Sequence, residues 1–416
     1  MNIYGIVILT ALLVEYILVT TADILSVRSM RSNLPDEFKG ICDFATYKNS
    51  QNYTKVRTFF SIIESTLFLA VILAWWLLGG FPKLDEVVSH WTSAPLIRGL
   101  LFIGILIFLR GLINLPFSIY STFVIEEWFG FNKTTPSVFL SDLVKTTVLS
   151  IIIGVPLVLG VLAFFEYTGD YAWLYCWILG TLVAVSLQYV APAWIMPLFN
   201  KFTPLEEGNL RNALLAYARS VQFKFRDIFV IDGSKRSVKT NAYFTGFGKN
   251  KRIALFDTLL AKYAPDELVT ILAHEIGHYK RRHIEQGIIF SVIHMGIMFF
   301  VMSLFIREKE LFSTFFMPNV SFYGGLVFFG LLYSPLELFV SILLNFISRL
   351  HEYSADEFAA QTVGSPERFI DVLKKLHVEN LSNLQPHPLQ IFLKYSHPPV
   401  LERIKRIREH AKLLRS

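Results

Sequence analysis

The stretch 147–167 reads TVLSIIIGVPLVLGVLAFFEY. Its one ionisable residue, Glu166, sits at its end. As a helix rising about 1.5 Å per residue it covers about 30 Å, the thickness of a bilayer's hydrocarbon. Working outward, six more runs share this character: 2–25, 58–80, 96–117, 171–195, 285–306 and 322–347. The first carries Glu15 and Asp23, lacks a basic leader and is followed by no small-x-small cleavage site, so it reads as a retained span.

Composition agrees. The 416 residues are 53% hydrophobic and only 17% charged, where about 25% charged is usual for soluble chains. Mean hydropathy is +0.47. Disorder, collagen and a disulfide scaffold are excluded. The two cysteines, Cys42 in a polar loop and Cys176 in an apolar run, read as a free thiol and a buried small hydrophobe. A net charge of +6 in so apolar a chain points to membrane sidedness and anionic headgroups rather than nucleic acid.

Seven spans put the termini on opposite sides. Segments 26–57, 118–146, 201–284 and 348–416 then share one side, with Lys plus Arg counts of 6, 2, 15 and 11. Segments 81–95, 168–170 and 307–321 carry 1, 0 and 2. The asymmetry predicts an outside or lumenal N-terminus and cytosolic polar segments. Glu15, Glu64, Arg110, His294 and Glu337 lie within spans. Such groups pair with one another or face a watery cavity.

Residues 201–284 break the membrane pattern. Residues 205–223 predict an amphipathic helix, Asp227–Ile231 a strand, and 241–246 with Arg252–Phe256 two strands around a turn at 248–251. The basic turn Lys235-Arg236-Ser237-Val238-Lys239 reads as a solvated loop, or as an attractor for a substrate carboxylate or anionic lipid. A further helix runs from Pro265 through His283. It carries Ala273-His274-Glu275-Ile276-Gly277-His278, an H-E-x-x-H pattern. Two histidines at i and i+4 share one helix face and reach one zinc at about 2.0–2.1 Å. Glu275 points to the neighbouring sector, where a carboxylate can take the proton of a water that zinc has acidified. A third ligand is needed, with one position left open. Glu352 and Asp356, again i and i+4, supply it: Glu352 to zinc, Asp356 to the free N–H of a ligand imidazole. His351 is a rival, about 100° around the helix from Glu352.

Together with spans between the two motifs, this pattern resembles the integral-membrane CAAX prenyl protease 1 family. So do Glu126-Glu127-Trp128-Phe129-Gly130-Phe131-Asn132-Lys133-Thr134, Pro197-Leu198-Phe199-Asn200-Lys201-Phe202-Thr203-Pro204-Leu205 and Asn241-Ala242-Tyr243-Phe244. Asn250-Lys251-Arg252-Ile253 and Ser396-His397-Pro398-Pro399 with Glu402-Arg403 complete the set. The resemblance implies a mainly α, polytopic protein: seven transmembrane helices in a barrel around a hydrated chamber, with a small α+β zincin-like catalytic domain. It implies one Zn²⁺ per chain, held by His274, His278 and Glu352, with Glu275 as the catalytic carboxylate. Asn241 and His397 would contact substrate or the oxyanion. The substrate would add as a strand beside Asn241, Ala242 and Tyr243, and Arg403 would contribute to substrate binding. The implied reaction removes the last three residues of isoprenylated C-a-a-X polypeptides, with the spans receiving the lipid tail at about 0.8 kcal/mol per buried CH₂.

The expected division is 1–200 for the first five spans, 201–284 for the zinc domain, 285–347 for the last two spans, and 348–416 for the part bearing the third ligand. The chain's last residues show no dilysine signal, so either an endoplasmic reticulum membrane or a bacterial inner membrane suits it. The expected partners are a prenylated or membrane-associated polypeptide and the bilayer, with no nucleic acid. A broad quality-control zinc protease and a transporter with an incidental motif are the competing readings.

Overall fold

The computed structural model describes residues 1–225, 227–245 and 252–413. The expected turn at 248–251, and the Asn250-Lys251 pair with it, lie outside the described residues. The chain is mainly helical, and among the described residues seven helices are long and apolar enough to cross a membrane. They begin with Ile3–Arg28, Phe44–Leu77, Pro95–Trp128 and Pro136–Tyr167, and continue with Gly169–Phe199, His283–Phe305 and Phe322–Thr362.

The spans form a ring. The first packs on the second, the third on the fourth, and so on through the seventh, which returns to the first. The second and third both pack on a short helix, Gly80–Trp91. Only 6–17% of each span's most apolar window is buried. That fits a barrel wall one helix thick around open space, where a solid bundle would bury far more. Of the charged groups inside spans, His294 and Glu337 are 3.2 Å apart. At the end remote from the polar insert the ring is plugged. Phe81, Leu84 and Val88 of the short helix meet Trp76, Phe312, Phe315 and Phe328 in one buried cluster. Residues 81–95, expected only as a segment between spans, therefore hold most of a helix.

The insert folds as expected in outline. A mixed sheet comprises β1 (Phe202–Pro204), β2 (Asp227–Ile231), β3 (Ala242–Thr245) and β4 (Arg252–Phe256), with a helix, Asn209–Ser220, between β1 and β2. The order is β1-β2-β4-β3. β2 and β4 are parallel, whereas β1 and β3 run antiparallel to their neighbours. β3 is therefore an edge strand, with Ala242 opposite Leu255 and Tyr243 opposite Ala254. β1 was not predicted, being three residues long and ending in proline.

Among the helix boundaries that differ from expectation, two shape the site. The helix from Pro265 ends at Lys280 rather than at His283. Arg282 adopts a left-handed conformation (φ +59°), and a new helix starts at His283. No glycine or proline marks this turn, so the charged run looked like a continuing helix. The last span, in turn, does not stop at 347. Phe322–Thr362 is one helix of 41 residues, so the expected boundary at 347/348 falls within a continuous rod that carries Glu352 beyond the expected span.

The insert's core is discontinuous in sequence. Phe38, Cys42 and Tyr47 join Leu214, Ile253, Leu272 and Ile276, and Phe369, Ile404 and Ile407 complete the cluster. Cys42 is a free thiol as expected, but buried in this core, and Cys176 is likewise free and buried.

Candidate metal centre and active site

The helix Pro265–Lys280 starts with Pro265 at its first position, and the Glu267 carboxylate accepts from the Ala264 N–H at 2.8 Å. Such a start suits a helix N-terminus. Leu268, Leu272, Ala273 and Ile276 bury one face in the core. That fixes His274, Glu275 and His278 along a cavity of about 580 Å³. Gly277 sets how close the third ligand comes. A Cβ placed there would lie 3.0 Å from both Cα and O of Ala355 on the long helix. The crossing is tight because glycine and alanine face each other, and it brings Glu352 under the two imidazoles. Gly277→Val should force the helices apart, costing about 1–3 kcal/mol as overpacking does. Metal content should fall with it, as elemental analysis alongside thermal unfolding would show.

The ligand geometry is compact. The His274 and His278 Nε2 atoms are 3.1 Å apart. Glu352 Oε2 is 3.5 Å from His274 Nε2, and Oε1 is 3.2 Å from His278 Nε2. The edge of a tetrahedron with bonds of about 2.0–2.1 Å is about 3.3 Å. Glu352 is 4% exposed, and its Oε2 has no hydrogen-bond partner. A buried, unsatisfied carboxylate oxygen facing two imidazole nitrogens is a donor set that fits a divalent cation.

Each imidazole is held from behind. His274 Nδ1 is 3.0 Å from Asp356 Oδ1. Asp356 in turn accepts from Arg403, Nε to Oδ2 at 2.7 Å and Nη2 to Oδ1 at 2.6 Å. Burial disfavours a charged His274, but the adjacent Asp356 and Glu352 carboxylates outweigh it and raise the ring to about 10. His278 uses a partner the sequence reading missed. Its Nδ1 is 3.0 Å from His283 Nδ1, and His283 Nε2 is 3.0 Å from Ser354 Oγ. The Ser354 hydroxyl donates to the His351 carbonyl at 3.0 Å. The donors assign the tautomers in sequence: His278 Nδ1–H to His283, His283 Nε2–H to Ser354. The left-handed turn at Arg282 folds His283 back onto His278. His351 stacks on His283 with centroids 4.0 Å apart; the group positioned for a metal comprises His274, His278 and Glu352.

Around this centre the other expected residues take distinct places. Glu275 lines the cavity, and burial pushes its carboxyl up, opposed by the His274 and His278 charges. His397 stands at the mouth, with Nε2 3.3 Å from Glu352 Oε1. Asn241 and Ala242 line the same cavity. Asn241 Oδ1 accepts from the Ala242 N–H at 2.9 Å, and the Phe256 N–H donates to the Asn241 carbonyl at 3.2 Å. Arg403, expected to bind substrate, lines the same cavity. It is 6% exposed, with two guanidinium nitrogens committed to Asp356.

Two of the basic turn's three cations, Arg236 and Lys239, are paired rather than solvated, while Lys235 is exposed. Arg236 grips Asp142 at 2.7 and 2.8 Å and donates to Asn200 Oδ1 at 2.7 Å. Lys239 donates to Glu126 Oε2 at 2.8 Å and to the Tyr53 hydroxyl at 2.7 Å. These contacts tie the segment leading into β3 to the ends of the membrane helices.

Histidines from one helix and a carboxylate from another, beside a free strand edge at the end of a membrane barrel, define a membrane-embedded metalloendopeptidase. Residues 23–201 match the family described as CAAX prenyl protease N-terminal, five membrane helices, and residues 204–411 match peptidase family M48. The chain belongs to peptidase family M48, in its CAAX prenyl protease 1 branch. That family implies a bound metal, generally zinc. The chain is 36% identical to CAAX prenyl protease 1 of Saccharomyces cerevisiae, covering 90% of this chain and 88% of that protein. It is 34% identical to the Arabidopsis thaliana homolog, covering 95% of each. The crystal structure of S. mikatae Ste24p superposes with a TM-score of 0.92 at 32% identity, covering 98% of this chain and 99% of that one. Neither the quality-control nor the transporter reading is favoured by these relatives.

Proposed function

We propose that this chain holds one zinc ion at His274, His278 and Glu352 and removes the C-terminal tripeptide from isoprenylated C-a-a-X polypeptides. The observation that carries the reading is the convergence of those donors and Glu275 on a cavity that also contains the open edge of β3. In this reading 201–284 and 348–416 make one catalytic unit, and 1–200 with 285–347 make the barrel. The Lys and Arg asymmetry of the loops supports a cytosolic catalytic end, in an endoplasmic reticulum or bacterial inner membrane.

Zinc, when bound there, supplies Lewis acidity for the scissile carbonyl and for water. The substrate backbone pairs with β3 as an added strand, through Asn241, Ala242 and Tyr243. Glu275 takes the proton from the attacking water and delivers it to the departing amine. His397, beside Glu352, donates to the developing oxyanion; losing one such donor typically costs about 10²–10³ in rate. Asp356 and His283 hold the ligand imidazoles in orientation. Arg403 neutralises Asp356 and acts as a positioning residue.

Matched farnesylated and bare peptides test this. Efficient cleavage is expected only of the farnesylated one, lost with a chelator and restored by zinc. Equal cleavage of the bare peptide would shift the reading to broad membrane quality control.

A further inference from the structure

Beside the metal site lies a second cavity of about 520 Å³. The two share His377, Asn380, Ser382 and His397 as a common wall, so the second reaches to within one side chain of Glu352. Its charged lining is Arg57 and Lys394, with no carboxylate among the lining residues. Lys394 is balanced by Asp23 at 2.7 Å. Arg57 is not balanced in the same way. Its Nη1 lies 3.1 Å from Glu126 Oε1, but Lys239 takes the other oxygen of that carboxylate at 2.8 Å. Two cations share one anion, which leaves one net positive charge on this wall. Arg57 is half exposed, toward a cavity whose other polar lining includes Thr54, Ser382, Asn383 and Ser396 together with the shared His377 and His397.

Strand direction leads to the same place. A polypeptide added antiparallel to β3 runs opposite to it. Its C-terminal residues therefore pass the start of β3, beside Ala242 and Asn241, and go on toward Thr240. The Thr240 N–H donates to Asn380 Oδ1 at 3.3 Å, and Asn380 belongs to the common wall. A tail of three residues at about 3.3 Å each extends about 10 Å beyond the cut.

We propose that the second cavity seats the substrate's C-terminal tail and that Arg57 pairs with its terminal carboxylate. The proposal rests on the C-a-a-X reading above and adds how the enzyme measures its cut from the chain end. A carboxylate suits a guanidinium because both are planar and present paired donors and acceptors.

The test uses the full-length enzyme in detergent and two farnesylated peptides that differ only in a terminal carboxylate or carboxamide. The wild type is expected to favour the acid by about 10- to 100-fold in kcat/KM, mainly through KM, the worth of one charge-assisted hydrogen bond. Arg57→Gln should bring the acid-to-amide ratio to about one while metal content is retained, and Arg57→Lys should restore part of it. Glu126 keeps Lys239 and Tyr53 in either variant, so the fold is supported. Wild-type enzyme that cuts acid and amide alike would overturn the proposal. So would an Arg57→Gln variant that slows both peptides equally, or a discrimination that arises only in vesicles of anionic lipid. Failure of the underlying reading looks different: the farnesylated acid would be cut no better than its bare counterpart.

Discussion

Glu275→Gln should leave a folded, metal-loaded protein that cleaves peptide about 10³- to 10⁴-fold more slowly, the upper range for a lost general acid–base group. The residue sits between the two ligand histidines on one helix, rotated about 100° from His274, so it lines the cavity without joining the donor set. Burial raises its carboxyl above the usual carboxylate range, the direction that favours proton uptake. Glutamine keeps the volume and hydrogen-bonding reach of the side chain but cannot accept and return a proton. His274, His278 and Glu352 are untouched by the change, and so are Asp356 and His283 behind them. Single-turnover cleavage of a farnesylated peptide, measured with metal stoichiometry and thermal unfolding, separates the outcomes. Turnover within tenfold of the parent would remove Glu275 from the proton transfer. Slow turnover with lost metal would make its role structural.

Why this site could be read so far ahead of the structure lies in helical periodicity. His274 with His278, and Glu352 with Asp356, are each one turn apart, so their shared faces follow from spacing alone. The spans were legible for a similar reason, since length and apolarity are what a bilayer selects. What escaped depends on contacts distant in sequence or on backbone geometry without a residue signature. The turn at Arg282 has no glycine, yet it decides that His283 backs His278. Arg403 meets a carboxylate 47 residues away, and only the fold shows that Asp356 claims it. Lys239 and Arg236 looked like loop charges because their partners, Glu126 and Asp142, come from membrane helices read as a separate unit. The long helix Phe322–Thr362 was cut at 347 because its composition turns polar there, although its hydrogen bonding does not stop.

Glu352→Ala should empty the metal site. The carboxylate is the one donor contributed from outside the helix Pro265–Lys280, and it lies within 3.5 Å of both imidazoles. Two histidines on adjacent turns give a bidentate site open on one side. Removing a ligand outright should cost more than the about 10–100-fold in affinity that outer partners cost. The change also deprives Arg403 of a carboxylate oxygen at 3.6 Å, but Asp356 still pairs with it at 2.6 Å, so no cation is stranded in the core. The folded state should therefore survive, and the loss should appear in the response to metal. A ligand that binds only the native state adds about 2.7 kcal/mol at a concentration of 100 Kd, so a chelator should lower the parent's Tm. The variant should unfold at the same temperature with or without it. Elemental analysis should find the parent loaded and Glu352→Ala without metal. Full occupancy in the variant would assign the third ligand elsewhere, and the geometry names where to look. His397 Nε2 is 3.3 Å from the Glu352 carboxylate, whereas His351 is stacked on His283. The double variant Glu352→Ala/His397→Ala would then be the one to lose the ion.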